Sequence, residues 1–497
     1  MALKKISVNQ IPEEVRAVSG VLLRAGYKAY LVGGCVRDLL TANPPAGGPK
    51  DWDITTDAKP EEIQKLFPES VYENQFGTVG VKSGSEDPKL KLIEVTTFRL
   101  EGKYTDKRHP DEITFAKTIE EDLSRRDFTV NAFAFDLSKK TAELIDPYGG
   151  EEDLKAKTIR TVGSAEARFN EDALRVMRAV RFACQLDFGI ERATRDAIKK
   201  CAGLLEVIAQ ERIRDEFIKI IMTDRAVAGL ILLEELDLLR SVLPELREGL
   251  GVGQNKHHIF TVFEHNAKAL GYAVGKNYSL VVRLASLLHD VGKPRAKVGD
   301  GPDSTFYNHD LIGAKMTAKA LDRLKFPREF IENVAHLVRY HLFYYNVGEV
   351  TESGVRRFIR RVGHEYIDDL FKVREADRIS SGVPKAVPYK MRHLMFMIEK
   401  VKHDPLSPRM LKIDGEDVMR ILSIPPSPKV GQILTILLEE VLDDPAKNTK
   451  ENLEVRIKNL EKQSEKELLV LSAKARDKKD EFEGGAEEEM KKKYYVQ

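Results

Sequence analysis

Cysteine is scarce in this sequence. Among 497 residues there are three, Cys35, Cys184 and Cys201. They are scattered and odd in number, which excludes a disulfide framework and fits a reducing compartment. Long apolar runs are missing too. No stretch approaches the ~18 residues of a membrane-spanning helix, and the N-terminal MALKKISVNQIPEEV lacks the apolar centre of a secretory signal. The expected location is the cytoplasm. Nor is there an excess of charge of either sign. The chain has 80 Lys and Arg against 79 Asp and Glu, a formal net charge of +1. Global charge therefore cannot hold a polyanion, and any nucleic acid would need a local positive surface. No internal repeat is visible. What remains is the composition of an ordinary soluble protein, 42% hydrophobic and 32% charged. The chain is too long for one core, so two to four domains are expected.

The most informative stretch runs from Tyr30 to Asp57, YLVGGCVRDLLTANPPAGGPKDWDITTD. It reads as strand, glycine pair, helix start, loop and strand. Gly33 and Gly34 turn the chain tightly and leave backbone N–H groups at a helix start, with Arg37 nearby, which is the geometry of an anion site. Asp51 and Asp53 are two apart. In a strand such residues share a face, so the two carboxylates converge. Converged carboxylates beside a phosphate-binding turn are what Mg²⁺ takes up.

Around this stretch, residues 12–26 predict an amphipathic helix with Val15, Val18, Leu22 and Leu23 on one stripe, followed by a strand over 28–32. A helix is expected over 59–67, with Pro60 in its first turn. Residues 78–82 and 89–97 predict a hairpin. In its second strand Leu90, Leu92 and Glu94 alternate with Lys91 and Ile93. An acid in the middle of an otherwise buried strand is costly unless paired or on a metal, which makes Glu94 the candidate third carboxylate. The polar stretch 101–112 is either a loop that closes in turnover or a plain surface loop. Asp146 to Gly150 is a turn cluster that marks a boundary. Beyond it the sequence is helical. Residues 170–183 carry Asp172, Arg175, Arg178 and Arg181 at spacings of three, a drifting row along one side of a helix. Taken alone, that row reads first as a solvated face, with Asp172 and Arg175 an i,i+3 ion pair. Residues 155–181 hold seven Lys and Arg against three Asp and Glu, a modest basic stripe suited to RNA phosphates.

GG-x-V-R-D followed by P-K-D-x-D-I-x-T, the strand E-V-T-T-F-R and the run R-R-D-F-T-x-N-A at Arg125–Ala132 occur together. The set resembles the nucleotidyltransferase head of the class II tRNA nucleotidyltransferases (CCA-adding enzymes) and bacterial poly(A) polymerases, over roughly residues 20–240. The resemblance implies an α+β chain: a small N-terminal mixed β-sheet head with helices, then an all-α neck and remainder. It implies that Asp51, Asp53 and Glu94 are catalytic, with Asp51 and Asp53 ligating Mg²⁺. Gly33, Gly34 and Arg37, with Arg126, Asp127 and Asn131, would hold the incoming nucleotide's phosphate and sugar. Asp172 and Arg175 match the family's amino-acid template. Cytosine and adenine both place an amino donor beside a ring-nitrogen acceptor, so a carboxylate with an arginine accepts both and leaves charges unpaired against U or G. Arg178 and Arg181 would face the triphosphate. The implied substrates are CTP, ATP and tRNA.

A second constellation lies in residues 246–390. His289-Asp290 followed by Gly292-Lys293-Pro294 resembles the HD phosphohydrolase superfamily, a helical metal-binding fold. In that pattern His265, His289, Asp290 and Asp377 would be metal ligands, and His309 and His341 extra ligands of a two-metal site for Mn, Fe, Ni or Mg. His257 and His258 are expected at the surface or behind the ligands. The implied reaction is hydrolysis of a phosphomonoester or cyclic phosphodiester. Arg356, Arg357, Arg360 and Arg361 form two pairs one helical turn apart that either touch RNA or sit on a solvated face. In the tail, helices are expected over 391–402, 416–422, 430–442 and 452–471, with a charged end fraying after Lys474 and broken at Gly484-Gly485.

The expectation is therefore four parts: a polymerase-beta-like head (1–150), a nucleotide-reading neck (151–245), an HD-type domain (246–390) and a helical tail (391–497). The expected activity is addition of C, C and A to tRNA without a nucleic-acid template. A poly(A) polymerase or partial CC- or A-adding enzyme is the first alternative, and a phosphohydrolase with an RNA-binding head the second. No membrane or protein partner is expected.

Overall fold

The computed structural model describes residues 8–41, 48–49, 51–72, 77–101, 113–138, 143–255, 259–402 and 411–496. The stretch 102–112 and the pair His257 and His258 lie outside the described residues. The chain forms two units, Met1–His341 with Lys372–Val383, and Leu342–Phe371 with Pro384–Gln497.

In the first unit, short apolar runs build a sheet and helices cover it. Helix α1 (Glu13–Arg24) buries Val15, Val18 and Leu22. Then follow β1 (Tyr30–Val32), α2 (Gly34–Leu40), β2 (Asp53–Thr56), α3 (Pro60–Leu66), β3 (Val71–Tyr72), β4 (Thr78–Lys82), β5 (Leu92–Thr97), β6 (Arg99–Glu101), β7 (Ile113–Phe115), α4 (Ile119–Ser124), β8 (Ala134–Asp136) and β9 (Glu143–Ile145). Seven strands form one sheet in the order β3-β4-β5-β2-β1-β8-β9. Among the described residues only β2 and β5 pair in parallel in it, which needs the long crossover that α3, β3 and β4 supply. The sheet is mixed, as expected. Its centre is sealed by Leu31, Ile54, Val79, Ile93 and Val95, all fully buried.

Two local readings are corrected here. On β5 the buried residues are Ile93, Val95 and Thr97, whereas Leu92 and Glu94 are exposed. Glu94 thus lies on the open face, and no buried neighbours demand an explanation for it. Second, residues 170–183 are not one helix. Helix α6, after α5 (Gly150–Ala156), spans Ala165–Glu171, and α7 spans Arg175–Leu186. Asp172 between them is extended at φ −125°, ψ 104°. Its carboxylate accepts from the backbone N–H of Leu174 at 3.1 Å, the local side-chain bond by which Asp competes with helix.

Further helices span Arg192–Cys201, Gln210–Ile221, Ala226–Glu235, Val262–Gly275, Leu280–Leu288, His309–Arg323 and Arg328–Tyr340. Arg283 is buried among them. It donates to the carbonyls of Tyr278 (3.0 Å), Ile221 (2.9 Å) and Thr223 (3.3 Å) and to Asn277 Oδ1 (3.3 Å). These groups include the unpaired C-terminal carbonyls of Gln210–Ile221, which favour a cation. All three cysteines are buried and none is in a disulfide. Burial, with Asp53 adding to it, pushes the Cys35 thiol up to about 12, and burial pushes Cys184 up to about 11.

The second unit is helical: Glu352–Val362, Tyr389–Lys402, Gly415–Leu422, Pro428–Asp443, Lys450–Glu461 and Glu465–Tyr494. Its core includes Leu411, Val418, Ile433, Leu437, Leu453 and Leu468. The helix expected over 452–471 is two helices, because Ser464 and Glu467 form a capping box that starts a new one. That last helix runs through Gly484-Gly485 to Tyr494, where a fraying end was expected; Lys491, Lys492 and Lys493 at its C-terminus complement the helix dipole. Among the described residues, no helix is long and apolar enough to cross a membrane.

Replacing Arg283 by Leu strands four acceptors in the interior. It should lower the unfolding free energy by on the order of 3 kcal/mol, read from urea denaturation; an unchanged midpoint would refute this role.

Candidate functional site

Gly33 ends β1 with φ +79°, a left-handed conformation open to glycine. A Cβ there would lie 3.0 Å from Arg126 Nη1 and 3.5 Å from Asp53 Oδ2. The bare backbone leaves room for the Arg126 guanidinium beside the Asp53 carboxylate. In the sheet register Asp53 is opposite Val32 on one side and Glu94 on the other, so the carboxylates of β2 and β5 stand side by side. Asp51 is exposed, just ahead of the strand. The Asp53 carboxyl is raised above its usual range by burial, with Asp51 adding to the shift and Arg126 opposing it. A carboxylate held under that strain, next to two others, is an all-oxygen donor set fitting a hard divalent cation.

Behind these acids the arginines form a chain of contacts. Arg37 Nη1 donates to Asn131 Oδ1 at 2.6 Å, and its other edge clasps Asp38 at 2.7–2.9 Å. Asp127 pairs with Arg178 at 2.6 Å and accepts from the N–H of Phe128 at 2.9 Å. Burial alone would raise the Asp127 carboxyl; Arg178 and Arg175 outweigh it and bring it down to about 2. Arg181 pairs with buried Glu216 at 2.7 Å. The guanidinium carbons of Arg37, Arg178 and Arg181 lie 5.7, 5.3 and 4.2 Å from the centre of the Phe182 ring. Three cations thus share one aromatic side chain.

Asp172 and Arg175 are close to this group but each has its own partner. Arg212, on Gln210–Ile221, meets both Asp172 oxygens at 3.1 and 3.3 Å. Arg175 pairs with Glu171 at 2.6 Å and donates to the carbonyls of Arg168 and Arg125, each at 3.1 Å.

The histidine constellation converges as two groups sharing one residue. In the first, His265, His289, Asp290 and Asp377 each direct a donor atom so that all lie within 4.8 Å of one another; in the second, Asp290, His309 and His341 do the same. Asp290 Oδ2 faces His265 and His289 at 3.2 and 3.3 Å, and Oδ1 faces His309 and His341 at 3.3 and 3.6 Å. The ring Nδ1 atoms of His289, His309 and His341 lie 2.7–2.8 Å from the carbonyls of Ser286, Phe306 and Val338. A carbonyl only accepts, so each Nδ1 carries a proton and each Nε2 is left to face the carboxylates, the atom that would offer its lone pair to an ion, as in ligating histidines. Burial disfavours the charged ring of His289, but Asp290 and Asp377 outweigh it and lift it to about 10. Burial holds His341 below its usual range. Lys293 Nζ is 2.5 Å from Asp290 Oδ2 and donates to Gln254 at 2.6 Å. Two imidazole-carboxylate groups bridged by one aspartate fit a pair of divalent ions. Gly292 makes this possible: a Cβ there would meet the His309 carbonyl at 2.2 Å and the Gly313 nitrogen at 2.5 Å.

Residues 29–160 match the Poly A polymerase head domain, 187–250 the Probable RNA and SrmB- binding site of polymerase A, and 310–456 tRNA nucleotidyltransferase domain 2. The chain is 32% identical to the CCA-adding enzyme of Enterococcus faecalis over 466 residues, 90% of this chain and 97% of that protein. The chain belongs to the CCA-adding enzyme family. It is a nucleotidyltransferase. It is also 37% identical to the A-adding tRNA nucleotidyltransferase of Deinococcus radiodurans over 343 residues, 66% of this chain and 76% of that protein. Among solved structures, the Bacillus stearothermophilus CCA-adding enzyme in complex with CTP superposes with a TM-score of 0.56 at 29% identity, covering 90% of this chain and 96% of that one. His265, His289 and Asp290 fall between the matched segments.

Within this family member, several partners escaped the sequence. Arg212, Glu171, Glu216, Phe182 and Lys293 all touch a candidate site residue. For Arg212 and Glu216 the separation from their partners, 35 residues or more, leaves no local pattern to find. Lys293, three residues after Asp290, was a findable signal.

Two outcomes follow. The depressed Asp127 pKa stabilises the fold fully above the ordinary carboxylate range, about pH 4, and is lost as pH falls through about 2. The stability difference between the native protein and Asp127→Asn should therefore shrink across that window in chemical denaturation. Gly292→Ala should cost ~1–3 kcal/mol through overpacking, seen as a lower thermal midpoint.

Proposed function

We propose that this chain adds C, C and A in turn to the 3′ end of tRNA from CTP and ATP, with Mg²⁺ in the head and without a nucleic-acid template. The observation that carries the reading is the meeting of Asp53 and Arg126 over the open backbone of Gly33, with Glu94 beside Asp53 in the sheet register. Asp51 and Asp53 would hold the divalent ions, which when bound supply charge neutralisation at the triphosphate. The RNA 3′ oxygen forms a bond to the α-phosphorus and the bond to pyrophosphate breaks. Gly33 and Gly34 offer the close backbone, Arg37, Arg126 and Asn131 orient phosphate and sugar, and Asp127 holds Arg178 in place. Arg178 and Arg181, gathered on Phe182, concentrate positive charge where the triphosphate would lie. Asp172 can keep Arg212 and still accept from a base amino group, since each carboxylate oxygen has two lone pairs. Arg175 would exchange Glu171 for the base's ring nitrogen. These roles give the parts 1–150, 151–245, 246–390 and 391–497 the tasks of transfer, reading, metal-dependent hydrolysis and RNA holding. The substrates and the reduced, buried cysteines fit the cytoplasm.

The bridged histidine-aspartate cluster supports a second activity: hydrolysis of phosphoesters at RNA ends, with His265, His289, Asp290, His309, His341 and Asp377 holding Mg²⁺ or a divalent transition metal. Lys293 would then hold the phosphate charge beside Asp290.

The deciding assay is incorporation of labelled CTP and ATP, separately and together, into tRNA transcripts ending before CCA, after C and after CC. Full CCA followed by arrest is expected. ATP addition only after CC would move the protein to the A-adding class, and a long A tract to poly(A) synthesis. Asp53→Ala should reduce incorporation at least about 100-fold and spare phosphate release, whereas His289→Ala should spare incorporation and abolish metal-dependent phosphate release. Intact incorporation in Asp53→Ala would put the site elsewhere.

A further inference from the structure

The second unit contains a cavity of about 440 Å³ lined in part by Phe343, Tyr344, Tyr345, Phe358, Arg357 and Arg361, within the ~300–1,000 Å³ typical of ligand sites. Two features set its chemistry. The first is aromatic. Phe343 packs on Phe358 at 5.3 Å and on Phe371 at 5.8 Å between ring centres. Tyr345 is half-buried and fixed by a 2.5 Å hydrogen bond with His393 Nδ1. These rings form a rigid wall. Tyr344 is the opposite, 74% exposed, its hydroxyl donating to Glu349 at 2.7 Å. An aromatic side chain that leaves its faces to solvent beside an aromatic wall is a stacking platform.

The second feature is charge. Glu352–Val362 carries four arginines and one acid. Arg356 is paired with Glu352 at 3.5 Å. Arg357 and Arg361, one helical turn apart, are exposed and make no hydrogen bond or ion pair among the described residues. In a chain with a net charge of +1, two unpaired guanidiniums at the mouth of an aromatic cavity are a concentrated positive site. Aromatic stacking surfaces flanked by arginine suit an unstacked nucleobase and its neighbouring phosphates; a paired duplex keeps its bases inside.

We infer that this cavity takes one unstacked nucleobase of the tRNA substrate, stacked on Tyr344 with Arg357 and Arg361 on the flanking phosphates. This rests on the tRNA reading above, and gives the second unit an RNA-binding site of its own.

The test is fluorescence anisotropy with a labelled tRNA transcript lacking CCA, for the native protein, Arg357→Gln/Arg361→Gln, Tyr344→Ala and Tyr344→Trp, all checked for native circular dichroism and thermal midpoint. The first two variants should raise the Kd about tenfold. The arginine pair should also flatten the slope of log Kd against log salt by about 1.5. Tyr344→Trp should bind as the native protein does. KM for tRNA should rise while kcat and KM for CTP stay unchanged. A Kd within twofold in both the Tyr344→Ala and the arginine variants overturns the proposal. Loss only in the arginine variant overturns the base-stacking part and leaves a plain phosphate contact. Unchanged tRNA binding with altered sedimentation gives the cavity to a second copy of the chain and also overturns it. Failure of the tRNA reading is distinguishable, because the native protein would then add no nucleotide to any transcript.

Discussion

A carboxylate placed inside a protein needs a positive neighbour, and the head is arranged around one such need. Asp53 sits at the end of a central strand, partly shielded from water, with Asp51 before it and Glu94 beside it in register. Arg126 answers part of that charge, at a spot that a side chain on Gly33 would crowd. Burial raises the cost of each unpaired charge, so the rest of the site follows as a sequence of replies: Asp122 near Arg126 at 3.7 Å, Asn131 on Arg37, Asp127 on Arg178, Glu216 on Arg181. Arg37, Arg126, Arg178 and Arg181 each have an acid beside them, Asp38, Asp122, Asp127 and Glu216. The acids limit how far the cations can move, which is the preorganisation that phosphoryl transfer asks of a protein.

The histidine cluster obeys the same rule with a different answer. Four imidazoles and two carboxylates are buried together, and Lys293 stands against the aspartate common to both groups. Backbone carbonyls fix the ring tautomers of His289, His309 and His341 from behind. The orientation of these rings is thus built into helix ends, and it does not depend on what lies between them.

Local motifs carried most of what could be read in advance. The strand, glycine pair and helix start at Tyr30–Leu40 needed only alternation and turn chemistry, and the run Arg125–Ala132 brought Arg126, Asp127 and Asn131 into one site. The order His265, His289-Asp290, His309, His341, Asp377 anticipated a cluster whose members are up to 112 residues apart in the chain, 377 minus 265. Periodicity failed where a side chain overruled it. The pattern over 170–183 continues through Asp172, yet that residue bonds the Leu174 amide and breaks the helix. The burial argument for Glu94 failed because its strand is not buried throughout: Leu92, on the same face, is exposed. The Asp172–Arg212 pair spans 40 residues and depends on how two helices pack, which no short pattern encodes.

The three thiols have a practical side. Cys35, Cys184 and Cys201 are 2%, 4% and 6% exposed, and Cys35 and Cys184 are held far from the thiolate form that reacts with electrophiles. The folded protein is therefore nearly blank to maleimides at neutral pH. A pair of new surface cysteines can carry dyes or spin labels without first removing the native ones, which opens distance measurements during turnover on an otherwise unaltered chain.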